Sequence, residues 1–475
     1  MNLPNCSIDV KINREKCQKF TDSFIADEML DLVGYTGKVY GKRVLENSFG
    51  NGVFLEKIVT RYIEFSIMEG FSKLDIQKGL SNDIYGFEVD KKLVDQVVKK
   101  LDFIAEQYSI PKVFWSVFCH DALSFSFFIS FDFVIGNPPY LNYRCLDAKT
   151  RDILRSNYSS CENGKFDYCY AFIEKGLRVL KPNGKMVQLI PANIYKNVFG
   201  EKLRSILLPN ICEIWEYPQQ KIFGETLTTS SVMLLRNGSA NKTLMYINKT
   251  TNTSQRIKKK SLEKKWIFEK KTNRIHGKRI GDLFNVSISV ATQFNKAFLV
   301  DESDIVNYSL ETALLRKAAS PRTLLLKKKE FIIFPYLFYN EKVTRIEETV
   351  FDRDYPNIRD YLYRYYDDLM KRDKDKTALW FEYGRSQALS HIHRHKLVLS
   401  TIVTGRPAVY LLDEKTIPYS GIYITEKSSA YSLKNAEEWL LSDSFSEYVK
   451  SVGTSVNGRS YRITCDDIKN YVIKA

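Results

Sequence analysis

The chain has 475 residues, and its 71 Lys and Arg against 56 Asp and Glu give a formal charge of +15. A hydrophobic share of 44% and an aromatic share of 13% exclude a disordered or fibrous protein, and the length predicts two or three domains. The charge is uneven, because residues 1–240 carry 30 basic and 28 acidic residues whereas residues 241–475 carry 41 and 28. The basic second half predicts a polyanionic partner, such as nucleic acid or an anionic surface.

Residues 1–240 alternate short β-like runs with amphipathic helical stretches, which is typical of a doubly wound α/β sheet. Four of the predicted strands end in polar or acidic residues, and the carboxyl ends of strands bind ligands in open α/β sheets. These four strands are 43–46, 84–87, 113–118 and 131–135. The pattern continues with a polar loop over 141–164, a helix over 168–180, and strands over 185–190 and 228–235.

The second half mixes short β-like runs with one predicted helix, 358–370, in no simple βαβ order. It follows a polar and basic stretch that includes Lys258, Lys259 and Lys260 and predicts a domain boundary. We therefore expect a first domain over 1–245, a basic linker over 246–275, and a mixed α+β domain over 276–475.

Several classes of protein are disfavoured. No run of about 18 apolar residues is present, and the start lacks the basic and apolar regions of a secretory signal, so we expect a cytoplasmic protein with no membrane span. The eight cysteines include no Cys-x-x-Cys pair, which disfavours a zinc site or a disulfide framework. His391, His393 and His395 alternate without a nearby cysteine or carboxylate pair, which favours a polar strand face or a DNA-facing turn over a metal site.

A glycine turn follows the first strand. Gly50 and Gly52 let the backbone approach a ligand closely, and the helix N-terminus beside them favours a carboxylate or phosphate. Glu88, at the end of the second strand, is placed to accept hydrogen bonds from a ribose diol. Glu46 and Glu88 lie 42 positions apart, more than the roughly 20 of a dinucleotide fingerprint, so we expect an insertion near 62–80.

The most specific motif is Asn137-Pro138-Pro139-Tyr140, which follows a buried strand. Two prolines remove two backbone donors and stiffen the loop, so the Asn137 side-chain oxygen and the Pro138 carbonyl can both accept from a planar amino group. Two acceptors on the two protons favour a pyramidal nitrogen and stabilise the positive charge that develops as a methyl group arrives. Tyr140 would stack on the ring that carries the amine.

These motifs together resemble the S-adenosylmethionine-dependent amino-methyltransferases of DNA, most closely the gamma-class N6-adenine enzymes of type II restriction-modification systems, the M.TaqI-like family. The resemblance implies a Rossmann-like doubly wound S-adenosylmethionine-dependent methyltransferase domain followed by a mixed α+β target-recognition domain. It implies catalysis by Asn137, Pro138, Pro139 and Tyr140, with Phe223 as a second stacking residue on a flipped adenine. One departure is Asn47, where the family usually has proline.

The resemblance also implies a set of residues that hold S-adenosylmethionine at the strand ends and at an N-terminal helix. These residues are Thr21, Glu46, Asn47, Gly50, Gly52, Glu88, Val89, Asp121, Ala122 and Asn137.

The implied partner is double-stranded DNA, bound by a protein that acts as a monomer in the bacterial cytoplasm at the nucleoid, with a separate cognate restriction endonuclease. Four arginines of the second half are predicted to contact DNA, because arginine makes bidentate contacts to guanine and to phosphate. They are Arg345, Arg385, Arg406 and Arg459.

Other functions remain open at this point. The same loop serves methyltransferases of protein glutamine or of an RNA base, although those chains are usually shorter and lack a long basic C-terminal domain. N4-cytosine methylation more often uses a loop that begins with serine. A silent DNA-binding subunit is disfavoured by the intact loop, and a fused nuclease is disfavoured by the length and by the lack of a Pro-Asp and Glu-x-Lys pattern.

Overall fold

The computed structural model describes residues 21–217, 230–262, 264–268, 277–339, 342–456 and 459–473. It divides the chain into a first unit, Met1–Phe268, and a second unit, Glu269–Ala475. Phe223, the predicted second stacking residue, lies outside the described residues.

A mixed sheet of nine described strands forms the centre of the first unit, in the order β3-β2-β1-β4-β5-β7-β6-β8-β9. Strands β3, β2, β1, β4 and β5 pair in parallel, and β7 lies antiparallel between β5 and β6. The strands are β1 Val44–Glu46, β2 Ile84–Glu88, β3 Ser116–Cys119, β4 Phe131–Gly136, β5 Leu180–Pro191, β6 Ile211–Tyr217, β7 Ser230–Arg236, β8 Thr243–Asn248 and β9 Thr253–Lys258. The doubly wound parallel core is the one predicted from the sequence.

Seven described helices accompany the sheet, and two hydrophobic clusters share its strands, one built with α1, α2 and α4 and the other with α6 and α7. The Asp22 side chain caps α1, and the ion pairs of Asp27 and Asp31 with Arg61 join α1 to α2. The helices are α1 Ser23–Val33, α2 Val53–Met68, α3 Lys73–Asp83, α4 Lys91–Gln107, α5 Ala148–Asn157, α6 Cys169–Arg178 and α7 Glu201–Leu207.

Three details differ from the sequence-based expectations. The insertion expected near 62–80 is the end of α2 followed by α3, and the stretch 141–164, expected to be a loop, contains α5. The apolar run 113–118 gives only a short strand, because Val113 is buried ahead of β3 rather than within it.

The division between the units also falls later than expected. The stretch 246–275 was predicted to be a linker, but its first part completes β8 and forms β9, which pair antiparallel at the edge of the sheet. Leu244, Tyr246 and Ile257 of this hairpin are buried, so its polar composition reflects one exposed face rather than a connection.

The second unit is mixed α+β, with two four-stranded sheets and smaller pairings among its described residues. The predicted helix over 358–370 is two helices, α13 and α14, interrupted at Arg364 and Tyr365. The strands are β10 Phe284–Ile288, β11 Leu299–Val300, β12 Leu315–Ala319, β13 Glu330–Ile333, β14 Tyr336–Tyr339, β15 Lys342–Arg345, β16 Lys396–Leu399, β17 Ile402–Thr404, β18 Val409–Leu412, β19 Ile417–Pro418, β20 Ile422–Glu426, β21 Thr454–Ser455 and β22 Ser460–Arg462. The helices are α8 Ile280–Leu283, α9 Asn295–Phe298, α10 Glu302–Asn307, α11 Pro321–Leu325, α12 Glu348–Asp354, α13 Pro356–Tyr363, α14 Tyr366–Lys371, α15 Leu433–Leu440, α16 Asp443–Val452 and α17 Cys465–Lys469.

Among the described helices, none combines the length and apolar character that crossing a bilayer requires.

Candidate active site

The predicted site residues of the first unit gather at one edge of its sheet. Strands β3, β2, β1 and β4 are parallel neighbours, so their carboxyl ends lie side by side. Glu46 ends β1, Glu88 ends β2, Asp121 follows β3, and Asn137 follows β4. The sheet therefore brings together four side chains that the sequence spreads over 92 positions.

The glycine turn is bound to the end of β2 through the Glu88 carboxylate. Glu88 Oε2 accepts from the Gly50 amide at 3.1 Å, and its Oε1 accepts from the Val89 and Asp90 amides at 2.8 and 3.1 Å. Gly52 adopts a positive φ of +84°, and a Cβ there would lie 2.6 Å from Val97. The turn therefore requires glycine at this position, and Glu88 is held in one orientation with acceptor capacity remaining on Oε2.

Two buried carboxylates at this edge have an oxygen without a hydrogen-bond partner among the described residues, namely Glu46 Oε2 and Asp121 Oδ2. Glu46 is 1% exposed. Burial raises the pKa of the Glu46 carboxyl well above its ordinary value, and the nearby Glu88 and Glu56 charges raise it further. Burial likewise raises the pKa of Asp121, although the Leu123 amide donates to its Oδ1 at 2.9 Å. Buried unpaired carboxylate oxygens are costly, so donors from a ligand would stabilise them.

Asp121 also lines a cavity of about 440 Å³. Phe125, Tyr158 and Tyr168 contribute aromatic walls to this cavity, and Lys175 contributes a cation. Ala122 is buried beside it and Val89 is exposed. A planar ring that carries a hydrogen-bond donor matches this lining.

Asn137 is tied to both predicted cofactor segments. Its side-chain Nδ2 donates to Thr21 Oγ1 at 3.2 Å, and its main-chain carbonyl accepts from Ser48 Oγ at 3.2 Å. Because Nδ2 is the donor to Thr21, Oδ1 is the acceptor end of the amide. Gly136, which precedes Asn137, lies against the Glu46 side chain, since a Cβ at Gly136 would be 3.4 Å from Glu46 Cγ.

The Asn-Pro-Pro-Tyr loop is anchored at its far end as well. The Tyr140 hydroxyl donates to the Leu189 carbonyl at 2.8 Å, and the half-buried ring packs against the core. Burial raises the pKa of the Tyr140 hydroxyl well above its ordinary value. The ring is thus held by its hydroxyl on the sheet, an arrangement that fits a stacking surface and not an acid.

Asp167, just before α6, clamps the residue that follows Tyr140. Its Oδ1 accepts from the Leu141 amide at 3.3 Å and from the Cys169 amide at 3.1 Å, and the Leu141 carbonyl accepts from the Tyr168 amide at 2.9 Å. The Cys169 thiol also hydrogen-bonds this carboxylate. Burial raises the pKa of Asp167 to about 6 despite these donors.

The four arginines predicted to contact DNA lie in the second unit, and three of them are ion-paired. Arg345 forms a bidentate pair with the buried Glu382 at 2.6 and 2.7 Å, Arg385 pairs with Asp373 and Asp375, and Arg406 pairs with Asp443. Arg459 is exposed and forms no ion pair within the described part of the chain. Arg345 is therefore structural in this state, and DNA contact by any of the four stays a prediction.

Sequence reasoning missed two contributors. Ser48 was part of the glycine turn, but nothing in the sequence indicated its bond to Asn137. Asp167 lies just before α6, and nothing in the sequence indicates that it clamps the loop. The signal that could have found Ser48 is its position within the glycine turn, which converges with the Asn-Pro-Pro-Tyr loop on one sheet edge. Asn47, the departure from the expected proline, is buried and donates to the Phe172 carbonyl at 3.2 Å.

The strand order and the site at the carboxyl edge define a class I S-adenosylmethionine-dependent methyltransferase fold, whose cofactor is S-adenosylmethionine. The residues present fit that group: Glu46 Oε2 and Asp121 Oδ2 are buried acceptors without partners in the described chain, matched to an ammonium and to an adenine amino group. Glu88, already oriented, would hold the ribose hydroxyls.

Comparison with known sequences agrees with this class. Residues 47–223 match the family described as Eco57I restriction-modification methylase. The chain is 25% identical over 327 residues to the type II restriction enzyme and methyltransferase RM.Eco57I of Escherichia coli, an alignment that covers 58% of this chain and 33% of that protein. It is 29% identical over 203 residues to the type II methyltransferase M.BstVI of Geobacillus stearothermophilus, covering 40% and 36%. The family match is confined to residues 47–223, and the chain spans about a third of the length of these relatives.

Solved structures extend the likeness in fold over both units. The type IIL restriction-modification enzyme MmeI in complex with DNA aligns with a TM-score of 0.57 at 12% identity, covering 94% of this chain and 65% of that one. The ATP-dependent type ISP restriction-modification enzyme LlaBIII bound to DNA aligns with a TM-score of 0.53 at 11% identity, covering 85% and 33%.

Proposed function

We propose that the chain is a site-specific DNA methyltransferase that transfers the methyl group of S-adenosylmethionine to N6 of an adenine flipped out of duplex DNA. The observation that carries the proposal is the placement of Asn137. Its amide nitrogen donates to Thr21, which directly precedes the N-cap of α1, and its main-chain carbonyl accepts from Ser48 of the glycine turn. A loop fixed from both cofactor segments suits an acceptor that must be aligned with a methyl donor.

The residues would act on the amine through two acceptors. Ser48 occupies the Asn137 main-chain carbonyl, so the side-chain oxygen of Asn137 and the carbonyl of Pro138 are the groups that would accept the two amino protons. These bonds would draw the nitrogen lone pair out of conjugation and stabilise the positive charge on nitrogen as the new bond forms. S-adenosylmethionine would supply the methyl group, whose bond to the sulfonium sulfur breaks as the bond to N6 forms, so that S-adenosylhomocysteine leaves. The methylated nitrogen then releases one proton to solvent.

An adenine within a duplex cannot reach this loop, so the base must leave the stack, at a cost of a few kcal/mol. Tyr140 would offset part of this cost by stacking, because its ring is already positioned by the bond to Leu189. Phe223 is proposed from the motif order as the opposite wall.

Duplex DNA as substrate and a role in restriction-modification are supported by the family of residues 47–223 and by the relatives' names. A separate cognate endonuclease and action as a monomer are further parts of the proposal. N4 of cytosine presents the same kind of amino group, but the loop begins with asparagine rather than serine.

The test is to express the chain in a bacterial host that lacks DNA methylation and to read modified bases by long-read sequencing. N6-methyladenine at one short sequence, absent from cells that express Asn137→Ala, is the expected result. N4-methylcytosine at one sequence would correct the acceptor base. Unmodified DNA together with methylated protein glutamine or RNA would replace the proposal.

A further inference from the structure

A dense run of positive charge lies at the outer edge of the first unit's sheet. Residues 241–268 contain eight basic residues and one acidic residue, whereas the rest of the chain contains 63 and 55. Five of the eight are exposed, and we call them the basic edge: Lys242, Arg256, Lys258, Lys260 and Lys264.

Strand register explains why Arg256 and Lys258 are exposed on β9. In the β8–β9 pairing, Leu244 stands opposite Ile257, and both are buried. Residues that alternate with Ile257 along β9 point the other way, which exposes Arg256 and Lys258. The Lys259 amide donates to the Lys242 carbonyl at 2.9 Å, which places Lys242 beside the end of β9.

Lys249 and Lys259, two other cations of this segment, have partners within the first unit. Lys249 pairs with Glu28 at 2.6 Å and lies over the Trp215 ring, and Lys259 is buried and donates to the Pro209 carbonyl at 2.8 Å. By contrast, the five residues of the basic edge form no ion pair with any residue that the structure describes. Their mutual repulsion is therefore not compensated within the described chain.

A lysine on an edge strand often serves only to prevent pairing with another sheet. That role needs charge on the strand itself. Here the charge continues past β9 to Lys260 and Lys264 and includes Lys242 at the start of the partner strand. Cations of the basic edge without ion-pair partners in the described chain would be neutralised by the phosphates of a nucleic acid backbone.

We infer that the basic edge binds the phosphate backbone of the DNA that the chain methylates, an inference that rests on the proposed function. Residues two apart on a strand are about 7 Å apart, which is similar to the separation of consecutive phosphates along one DNA strand. Arg256 and Lys258 can thus each face a phosphate. The contacts are to backbone, so they add affinity without reading sequence.

The experiment measures binding of the full chain to a fluorescent duplex by anisotropy over a range of salt concentrations. The test variant is Arg256→Gln with Lys258→Gln and Lys260→Gln. The matched control is Lys73→Gln with Lys78→Gln and Lys112→Gln, three exposed lysines on and beside α3, which lowers the net charge by the same amount. For the test variant we expect affinity to fall about tenfold and the salt slope to decrease by roughly 2 to 3, with kcat for DNA methylation at saturating DNA unchanged.

Each outcome decides between the possibilities. A test variant that binds DNA like the control overturns the inference, even if the wild type methylates DNA normally. Weakened binding to RNA or to anionic vesicles with unchanged DNA binding also overturns it, in favour of another polyanion. A wild type that neither binds nor methylates DNA overturns the proposed function and this inference together.

Discussion

Two carboxylates of the candidate active site and the buried Glu382 of the second unit differ in their hydrogen bonding. In the first unit, Glu46 and Asp121 each keep a buried oxygen without a partner in the described residues, at the carboxyl edge of the sheet. In the second unit, the equally buried Glu382 is fully engaged by Arg345 and by the Leu379 amide. Unsatisfied acceptors mark a place prepared for a ligand, whereas a satisfied ion pair marks a place that holds the fold.

The same comparison changes how the charge of the chain is understood. Divided where the structure divides it, the first unit has 38 basic and 29 acidic residues and the second has 33 and 27. Of the net charge of +13 that a division at residue 240 assigns to the second half, +7 lies in residues 241–268 of the first unit. Positive charge alone does not single out the second unit as the part that holds DNA.

The largest effect is expected from substitution of Asn137, which tests whether the first unit holds a catalytic site. Asn137→Ala removes one of the two proposed amine acceptors, and we expect methyl transfer to fall by at least about 10²-fold. Cofactor affinity, measured by calorimetry, should change by less than about threefold, because the other predicted cofactor residues, among them Glu46, Glu88 and Asp121, are unchanged. Retained activity would contradict the assigned acceptor.

Asp167 tests whether the loop must be clamped. Asp167→Ala removes the acceptor for the Leu141 amide, and we expect kcat to fall about tenfold with little change in the KM for the cofactor. Hydrogen exchange of residues 138–142 should become faster. The control is Ser72→Ala, which removes the side-chain cap of α3 in the first unit and should leave this exchange unchanged. Equal exchange in both variants would show that Asp167 has no positioning role.

Asp167 also gives a pH dependence. Its pKa in the folded protein is about 6, raised by burial above the ordinary 3.8. The stability that it contributes is therefore present below pH 4 and lost as the pH rises through 6. Asp167→Asn keeps an acceptor but does not titrate, so its Tm should exceed that of the wild type at pH 8, and this difference should shrink towards pH 4.5. A constant difference would contradict the raised pKa.

Substitution of two arginines in the second unit should have smaller effects, on the free energy of unfolding. Arg345→Ala leaves the buried Glu382 without its partner, and we expect the second unit to lose about 2 kcal/mol of unfolding free energy. Arg406→Ala breaks an exposed pair with Asp443 and should change it by less than about 0.5 kcal/mol. Urea unfolding measures both. Equal losses would mean that the burial of Glu382 is energetically irrelevant.

The sequence predicted what is local. A strand, a glycine turn and a helix follow one another within residues 44–68, and the Asn-Pro-Pro-Tyr loop directly follows β4, so the positions of Gly50, Gly52 and Asn137 could be inferred from short patterns. Parallel strands then bring these ends together by topology alone.

The sequence could not predict pairings between distant residues. Thr21 and Asn137 are 116 positions apart, and no short pattern indicates that their side chains meet. Helix α5 was missed because its sequence is largely polar, with Thr150 and Leu154 as its buried residues. The basic composition of 246–275 predicts a linker because it reflects the exposed face of the β8–β9 hairpin. The buried residues of the hairpin nevertheless alternate as in a half-buried strand.

Glu88 shows how closely recognition and architecture are connected in this fold. Its carboxylate is oriented by the amides of Gly50, Val89 and Asp90, so no side-chain rotamer has to be frozen when a diol binds. A glutamine would present an NH₂ group to some of these amide donors, and an aspartate would be too short to reach them. Under the proposed function, selectivity for the ribose and the conformation of the glycine turn depend on the same side chain, and a substitution that altered one would alter both.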